Sequence, residues 1–357
     1  MSIVYRSGIN YYGTPAQLGG CVNDVKLMSA TLHRLGFTQI ETLTDEPGRA
    51  FSGAGMPTRA NIEAACRRLV QGAQEGDSLF FHYSGHGGRS VNLSGRERTG
   101  YDSTLIPVDH NGGKNQIIDD DMDALLTEPA RAAGARLTCV VDACHSGTVL
   151  DLPFLCRGAD AAGNWLWVTE DATSLAVTER TGSVRAMMCA VCLAPRNTFA
   201  KPPEDAVGGL VTCLSGSSDA QTSADTKLLS GTSEATGACT WCFVEAIGQG
   251  ASSWSEVMGF IRHKLKQTKF RQVPQFCANR RFALDEPLNI RHSQTPDRAA
   301  QAASVTAPTV HTTRHARLRP PRDGAAPFAR RRWRRWSGGR VGATRGAARG
   351  EPPASRH

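Results

Sequence analysis

The chain has no run of eighteen or more apolar residues, so no stretch of it is long enough to cross a bilayer as a helix. Its first residues, MSIVYRSGIN, lack the apolar core of a secretory leader, and the expectation is a soluble, cytoplasmic protein. Aromatic residues are scarce at 6%, yet 40% of residues are apolar and 21% charged. That usage excludes a collagen, a coiled coil or a wholly disordered chain, and 357 residues can bury a sizeable core. Densely spaced cysteines are also lacking. The eleven present are odd in number and scattered, so they read as reduced, buried thiols rather than a disulfide framework. The pairs Cys189/Cys192 and Cys239/Cys242 lie in the apolar text MMCAVCL and in helix-like text over 238–247. A zinc ribbon wants turn residues around such pairs, and core cysteines are the better reading.

Lysine is absent from residue 291 onward, where fifteen arginines face only Asp297, Asp323 and Glu351, a net +12. The whole chain carries +8, so residues 1–290 carry −4, and the basic character belongs to the tail. Two domains of behaviour are expected: a folded body over 1–290 and a disordered Arg/Pro/Ala-rich tail over 291–357. RRRWRRW at 330–336 suits phosphates, so a nucleic acid or an anionic membrane surface is an expected weak partner. A disordered regulatory tail without a defined partner is the favoured expectation, with that anionic partner as the alternative.

In the body, Val25, Met28, Leu32 and Leu35 recur at helical spacing before Gly36, and Thr58 is placed to cap a helix through Ile62, Cys66 and Leu69. Short apolar runs at 37–43, 78–83, 103–108, 137–141 and 210–215 read as buried strands, with a last one at 272–277. Helices are expected at about 234–249 and 253–267. Strands alternating with helices predict an α/β fold whose mainly parallel central sheet is flanked by helices. Residues 152–209, with scattered Gly and Pro and no clean periodicity, read as an irregular linker.

In parallel sheets, ligands gather beyond the carboxyl ends of the strands. Two loops lie there: Ser84-Gly85-His86-Gly87-Gly88 and Asp142-Ala143-Cys144-His145-Ser146-Gly147. A cysteine peptidase needs a thiolate and an acid/base on separate, converging elements, and His86 and Cys144 fit that need. Taken singly, Cys144 reads as an inert core thiol and His86 as a loop histidine. Together, in glycine-rich loops after matching strands, they favour catalysis. The order of a His-Gly loop some fifty or more residues before an Ala-Cys loop is that of caspases.

HYSGHGG at 82–88 and DACHSGTVLDLPF at 142–154 resemble the metacaspases of the caspase-like clan, most closely the trypanosomatid and fungal type. GINYYGTPAQLGGCVND at 8–24, YDSTLIPVDH at 101–110, IIDDDMDALL at 117–126 and LSGSSDAQTSAD at 214–225 extend the resemblance over about 8–285. It implies a caspase-like fold with a six- to eight-stranded sheet, and a monomer. It implies Cys144 as nucleophile, His86 as general acid/base, and an oxyanion hole from the N–H groups of Gly87 and Cys144. His145, beside the nucleophile, reads as structural.

Acidic residues flank the motifs, and carboxylates facing a pocket favour a cationic Arg or Lys side chain. The alternative, that Asp24 merely caps a helix, stays open. The resemblance implies a pocket of Cys21, Asp24, Ser84 and Asp142, and cleavage after Arg or Lys. Asp119, Asp120 and Asp121 precede a helix-like run, where capping explains them as well as a hard cation does. The resemblance implies an activating Ca2+ held by Asp102, Asp119, Asp120 and Asp151. It also implies self-cleavage in the linker, with Arg157, Arg180, Arg185, Arg196 and Lys201 as candidates, and an association with programmed cell death. Arg6 and Ser7 stand where the family has aliphatic residues, which weakens the expected first strand. The expected function is a calcium-activated cysteine endopeptidase; the alternative is a non-catalytic regulator or scaffold acting through the basic tail.

Overall fold

The computed structural model describes residues 2–48, 53–94, 100–144, 146–159, 165–169, 208–216, 225–226, 234–268, 272, 274–288 and 290. The tail from 291 and the Cys189/Cys192 pair lie outside the described residues.

Alternation sets the architecture. In β3 (Ser78–Ser84), Leu79, Phe81 and Tyr83 face one core cluster, while Phe80 faces another. Both faces are therefore buried, as a parallel sheet requires. The sheet contains β1 (Ser2–Gly8), β2 (Gln39–Thr44), β3, β7 (Arg136–Asp142), β8 (Phe154–Ala159), β9 (Trp165–Thr169), β10 (Val211–Ser215) and β13 (Gln275–Ala278). Their order is β2-β1-β3-β7-β10-β13-β8-β9. From β2 to β10 the neighbours are parallel, and β13, β8 and β9 pair antiparallel. The predicted mainly parallel α/β sheet is thus observed.

Helices α1 (Cys21–Arg34), α5 (Ala238–Gly248) and α6 (Trp254–Gln267) pack on the Val4, Phe80 and Val140 face. Helix α2 (Arg59–Val70) covers the other face through Ile62, Cys66 and Leu69, and the Thr58 side chain caps it by accepting from the Asn61 N–H. On that face also lie α3 (Asp119–Met122), a π-helical turn (Asp123–Thr127) and α4 (Glu128–Ala132). A small antiparallel sheet of β4 (Gly87–Val91), β5 (Tyr101–Leu105) and β6 (Ile117–Ile118) continues from the loop after β3. The strand expected at 103–108 is β5, and it belongs to this small sheet. Short β11 (Asp225–Thr226) and β12 (Thr236–Gly237) pair just before α5.

Two expectations need correction. The stretch 152–209 is not irregular where it is described, since β8 and β9 form a hairpin there. Their apolar residues Phe154, Leu155 and Val168 fit a pleated, buried surface, which the Gly and Pro content of the whole stretch hides. The first strand is also intact, paired along its length with β2 and β3. Arg6 is accommodated because its guanidinium donates to the Val25 carbonyl at 2.9 Å and to Thr42 Oγ1 at 2.6 Å. Burial lowers its pKa to about 10.

Candidate active site

Strand register converts two separate sequence motifs into one site. β3 and β7 are parallel neighbours, with Ser84 opposite Asp142. His86 and Cys144 each follow two residues after that matched pair, so both loops leave the same edge of the sheet. The Gly85 N–H donates to the Asp142 carbonyl at 3.3 Å, tying the loops together. Gly87 completes the junction. A β-carbon built there would stand 1.9 Å from the Cys144 carbonyl oxygen, so only glycine permits this approach.

His86 is oriented by the loop after β1. Its Nε2 lies 2.7 Å from the Ala16 carbonyl, and its ring stacks on Tyr11 at a centroid distance of 4.6 Å. Its backbone N–H donates to the Tyr11 hydroxyl at 2.9 Å. A carbonyl only accepts, so Nε2 carries a proton, and in the neutral ring Nδ1 holds the lone pair. Tyr11 and Ala16 were not identified as site residues from the sequence. Tyr11 lies inside the GINYY segment, whereas Ala16 acts through its main chain and leaves no side-chain signal.

Among the described cysteines Cys144 alone is half-buried, and the other eight are buried free thiols. Loss of hydration pushes the thiols of Cys66, Cys139, Cys213 and Cys239 up. Cys156 is pushed up to about 11 and Cys242 to about 12 by the same cause. Such thiols are poor nucleophiles at neutral pH. Cys239 and Cys242 lie inside α5 and pack in the core, as their sequence context predicts. His145 lies outside the described residues.

Beside these two loops, two of the four expected pocket residues, Asp24 and Asp142, converge on Gly237, and Ser84 joins them through Asp24. Asp24, in the first turn of α1, accepts from Ser84 Oγ at 2.5 Å and from the Gly237 N–H at 2.8 Å. Asp142, at the end of β7, accepts from the Thr240 N–H at 2.8 Å. A β-carbon on Gly237 would meet Asp142 Oδ2 at 2.3 Å and Asp24 Oδ2 at 2.7 Å, so the two carboxylates are no further apart than the sum of those distances. Both are buried. The N–H groups donated to them come from the N-cap and first turn of α5. Cys21 precedes Asp24 by one helical turn, is buried, and donates its N–H to Asn10 Oδ1 at 2.9 Å. Gly237 and Thr240 carry no sequence signal for this role, since they act through backbone N–H groups.

The remaining acidic residues are engaged locally. Asp119 accepts from the Ser103 N–H at 2.7 Å and from the Asp120 N–H at 3.0 Å, and Asp102 accepts from the Asn92 amide. Asp121 pairs with Arg59 at 2.7 Å. Asp151 takes a left-handed backbone conformation, φ 48°, in the loop after Cys144. Carboxylate oxygens suit a hard cation. Among the described residues, however, no group of three or more His, Cys, Asp or Glu side chains is placed to hold a metal ion. Also among the described residues, no helix is long and apolar enough to cross a membrane.

Comparison with known proteins agrees with the motifs. Residues 6–153 match the family model for the metacaspase, peptidase C14 domain. Metacaspase-1 of Mycosarcoma maydis is 35% identical over 291 residues, covering 78% of this chain and 70% of that protein. Metacaspase-1A of Aspergillus fumigatus is 38% identical over 289 residues, covering 76% of this chain and 67% of that protein. Among solved structures, Caspase-1 from Spodoptera frugiperda aligns with 82% of this chain and 91% of its own, at 10% identity and a TM-score of 0.44. With relatives of that identity matched over most of its length, the chain belongs to the metacaspases, the cysteine-type endopeptidases of peptidase family C14.

Proposed function

We propose that the protein cleaves peptide bonds after Arg or Lys, with Cys144 as nucleophile and His86 as acid/base. The observation that carries this reading is the Ser84–Asp142 register. It brings the histidine and cysteine loops to one edge, beside two buried carboxylates. The Cys144 thiol passes its proton to His86 Nδ1, and the thiolate attacks the scissile carbonyl carbon. The negative charge that develops on the carbonyl oxygen is met by the N–H groups of Gly87 and Cys144. His86 then protonates the leaving amine, the C–N bond breaks, and an acyl-enzyme remains on sulfur. Water, deprotonated by His86, attacks the acyl carbon and releases the free thiol with the new carboxyl terminus.

Asp24 and Asp142 favour a cationic substrate side chain, held through charge-assisted hydrogen bonds. Ser84 and Cys21 complete that pocket's wall. A calcium ion drawing on Asp102, Asp119, Asp120 and Asp151 would brace the nucleophile's loop, which Thr148 already ties to β5 through Ser103 at 2.9 Å. Asp121 is the least available of the acidic triplet because Arg59 engages it. To bind there, such a cation would have to displace the Asn92 amide and the backbone N–H donors from those oxygens, so its binding would rearrange this loop. Self-processing after a basic linker residue belongs to the same reading. Arg157 lies within β8, and Arg180, Arg185, Arg196 and Lys201 lie outside the described residues.

Matched fluorogenic Arg and Asp peptides, assayed with calcium or with chelator, test the reading. The expected result is Arg cleavage that needs calcium and is lost in Cys144→Ala. In Asp142→Asn, kcat/KM for the Arg peptide should fall on the order of 100-fold. Preference for the Asp peptide would overturn the pocket assignment, and calcium-independent activity would overturn the cofactor.

A further inference from the structure

The loop between β1 and α1 supplies two of the contacts that orient His86, the Tyr11 ring with its hydroxyl and the Ala16 carbonyl. This loop is not held by regular pairing. Its Tyr11 adopts a left-handed conformation, φ 52°, which an aromatic residue takes only when its surroundings impose it. What imposes it comes from another element. Asp45, immediately after β2, is buried, and its two oxygens accept from the N–H groups of Asn10 at 2.8 Å and Tyr11 at 2.6 Å. Asn10 extends the clamp, because its side-chain oxygen accepts from the Cys21 N–H and its carbonyl accepts from the Leu18 N–H at 2.8 Å.

We infer that Asp45 is a positioning residue for catalysis: its carboxylate clamps the Asn10–Tyr11 backbone and so fixes the Tyr11 ring and the Ala16 carbonyl against His86. The inference rests on the proposed role of His86. Asp45 itself touches no reacting atom. Its influence travels through two consecutive amides to a ring stacked on the imidazole and, six residues from Asn10, to the carbonyl that binds Nε2. Burial raises the Asp45 pKa against the opposing pull of these N–H donors, so its hold weakens at a less acidic pH than for an exposed aspartate. A neutral carboxyl keeps one good acceptor and turns the other oxygen into a donor facing an N–H.

The test compares wild type, Asp45→Asn and Asp45→Leu on the Arg peptide, with kcat expressed per titratable active-site thiol, and Cys144→Ala, with its rate expressed per mole of folded protein. That normalisation removes any loss of folded enzyme. The expected result for Asp45→Asn is a kcat roughly 10- to 100-fold lower with KM within about two-fold. The pH–kcat profile should shift by about half a unit or more. Asp45→Leu, lacking any acceptor, should lose more than Asp45→Asn. An unchanged kcat and pH profile in a folded Asp45→Asn would overturn the inference. Activity in Cys144→Ala would instead sink the underlying dyad, which separates the two failures. A second measurement needs no variant: amide exchange at Asn10 and Tyr11 in wild type, followed as pH falls. Loss of their protection should coincide with loss of kcat. Full kcat in a range where those amides have lost protection would contradict the clamp.

Discussion

His82 is the buried neighbour of the pocket that acid should find first. It lies in β3 opposite Arg6, and its Nε2 contacts Thr240 Oγ1 at 3.3 Å while Nδ1 has no hydrogen-bond partner. Loss of hydration, aided by Arg6, lowers its pKa to about 3. The unfolded chain, with an ordinary histidine near 6.5, therefore binds the extra proton between roughly pH 3 and 6.5. Stability from this residue is fully present above about pH 6.5 and is lost as pH falls through that window. Urea unfolding at pH 7 and pH 5 should show wild type losing about 2 kcal/mol more than His82→Gln. Equal losses in the two proteins would mean that His82 is not held neutral. At this scale the sequence singled out candidate side chains, His86, Cys144, Asp24 and Asp142, which the fold brings to one edge of the sheet. It was silent where main chain does the holding. The Ala16 carbonyl and the N–H groups of Gly237 and Thr240 have no side-chain signature.

Strands and helices were the most readable level, because both signals that define them are local. The Thr58 cap and the Ile62, Cys66, Leu69 stripe give α2 directly, and the apolar run at 78–83 gives β3. Pairing is not local, and it decides the outcome elsewhere. Tyr101–Leu105 forms a strand but joins β4 and β6 instead of the central sheet. The hairpin of β8 and β9 depends on β13, about 120 residues away in sequence, so nothing in 152–209 announces it. Contacts between elements also explain the Gly87 requirement. Gly87→Ala would drive a β-carbon into the Cys144 carbonyl, and the two loops must separate to accept it. A displacement of about 1 Å at a catalytic junction costs on the order of 100-fold in kcat. At Gly88 the same change meets the Thr104 hydroxyl at 3.0 Å and the Ile106 side chain at 3.2 Å, side-chain atoms that yield more readily than the Cys144 main chain. Gly88→Ala should therefore keep kcat within about ten-fold of wild type, and steady-state kinetics of the two variants separate the cases. Equal losses at both positions would count against the close approach.

The whole molecule divides its charge. A body of −4 is followed by a tail of +12, and the two buried carboxylates of the candidate pocket belong to the acidic part. Family membership was readable from ordered motifs spread over most of the body, since loops at strand ends carry their chemistry in short contiguous runs. The arrangement of those runs was not readable, because it depends on strand order and register that no single segment contains. Both are needed for the claim that Cys144 is a nucleophile beside a pocket for a basic side chain. The most direct measurement is mass spectrometry of the intact protein and its peptides after reaction with an Arg-peptide chloromethyl ketone, beside the Asp-peptide analogue. The account predicts one adduct from the Arg reagent, on Cys144, with the eight buried thiols untouched and the Asp reagent far slower. Faster labelling by the Asp reagent, or an adduct on another cysteine while Cys144 stays free, would contradict it.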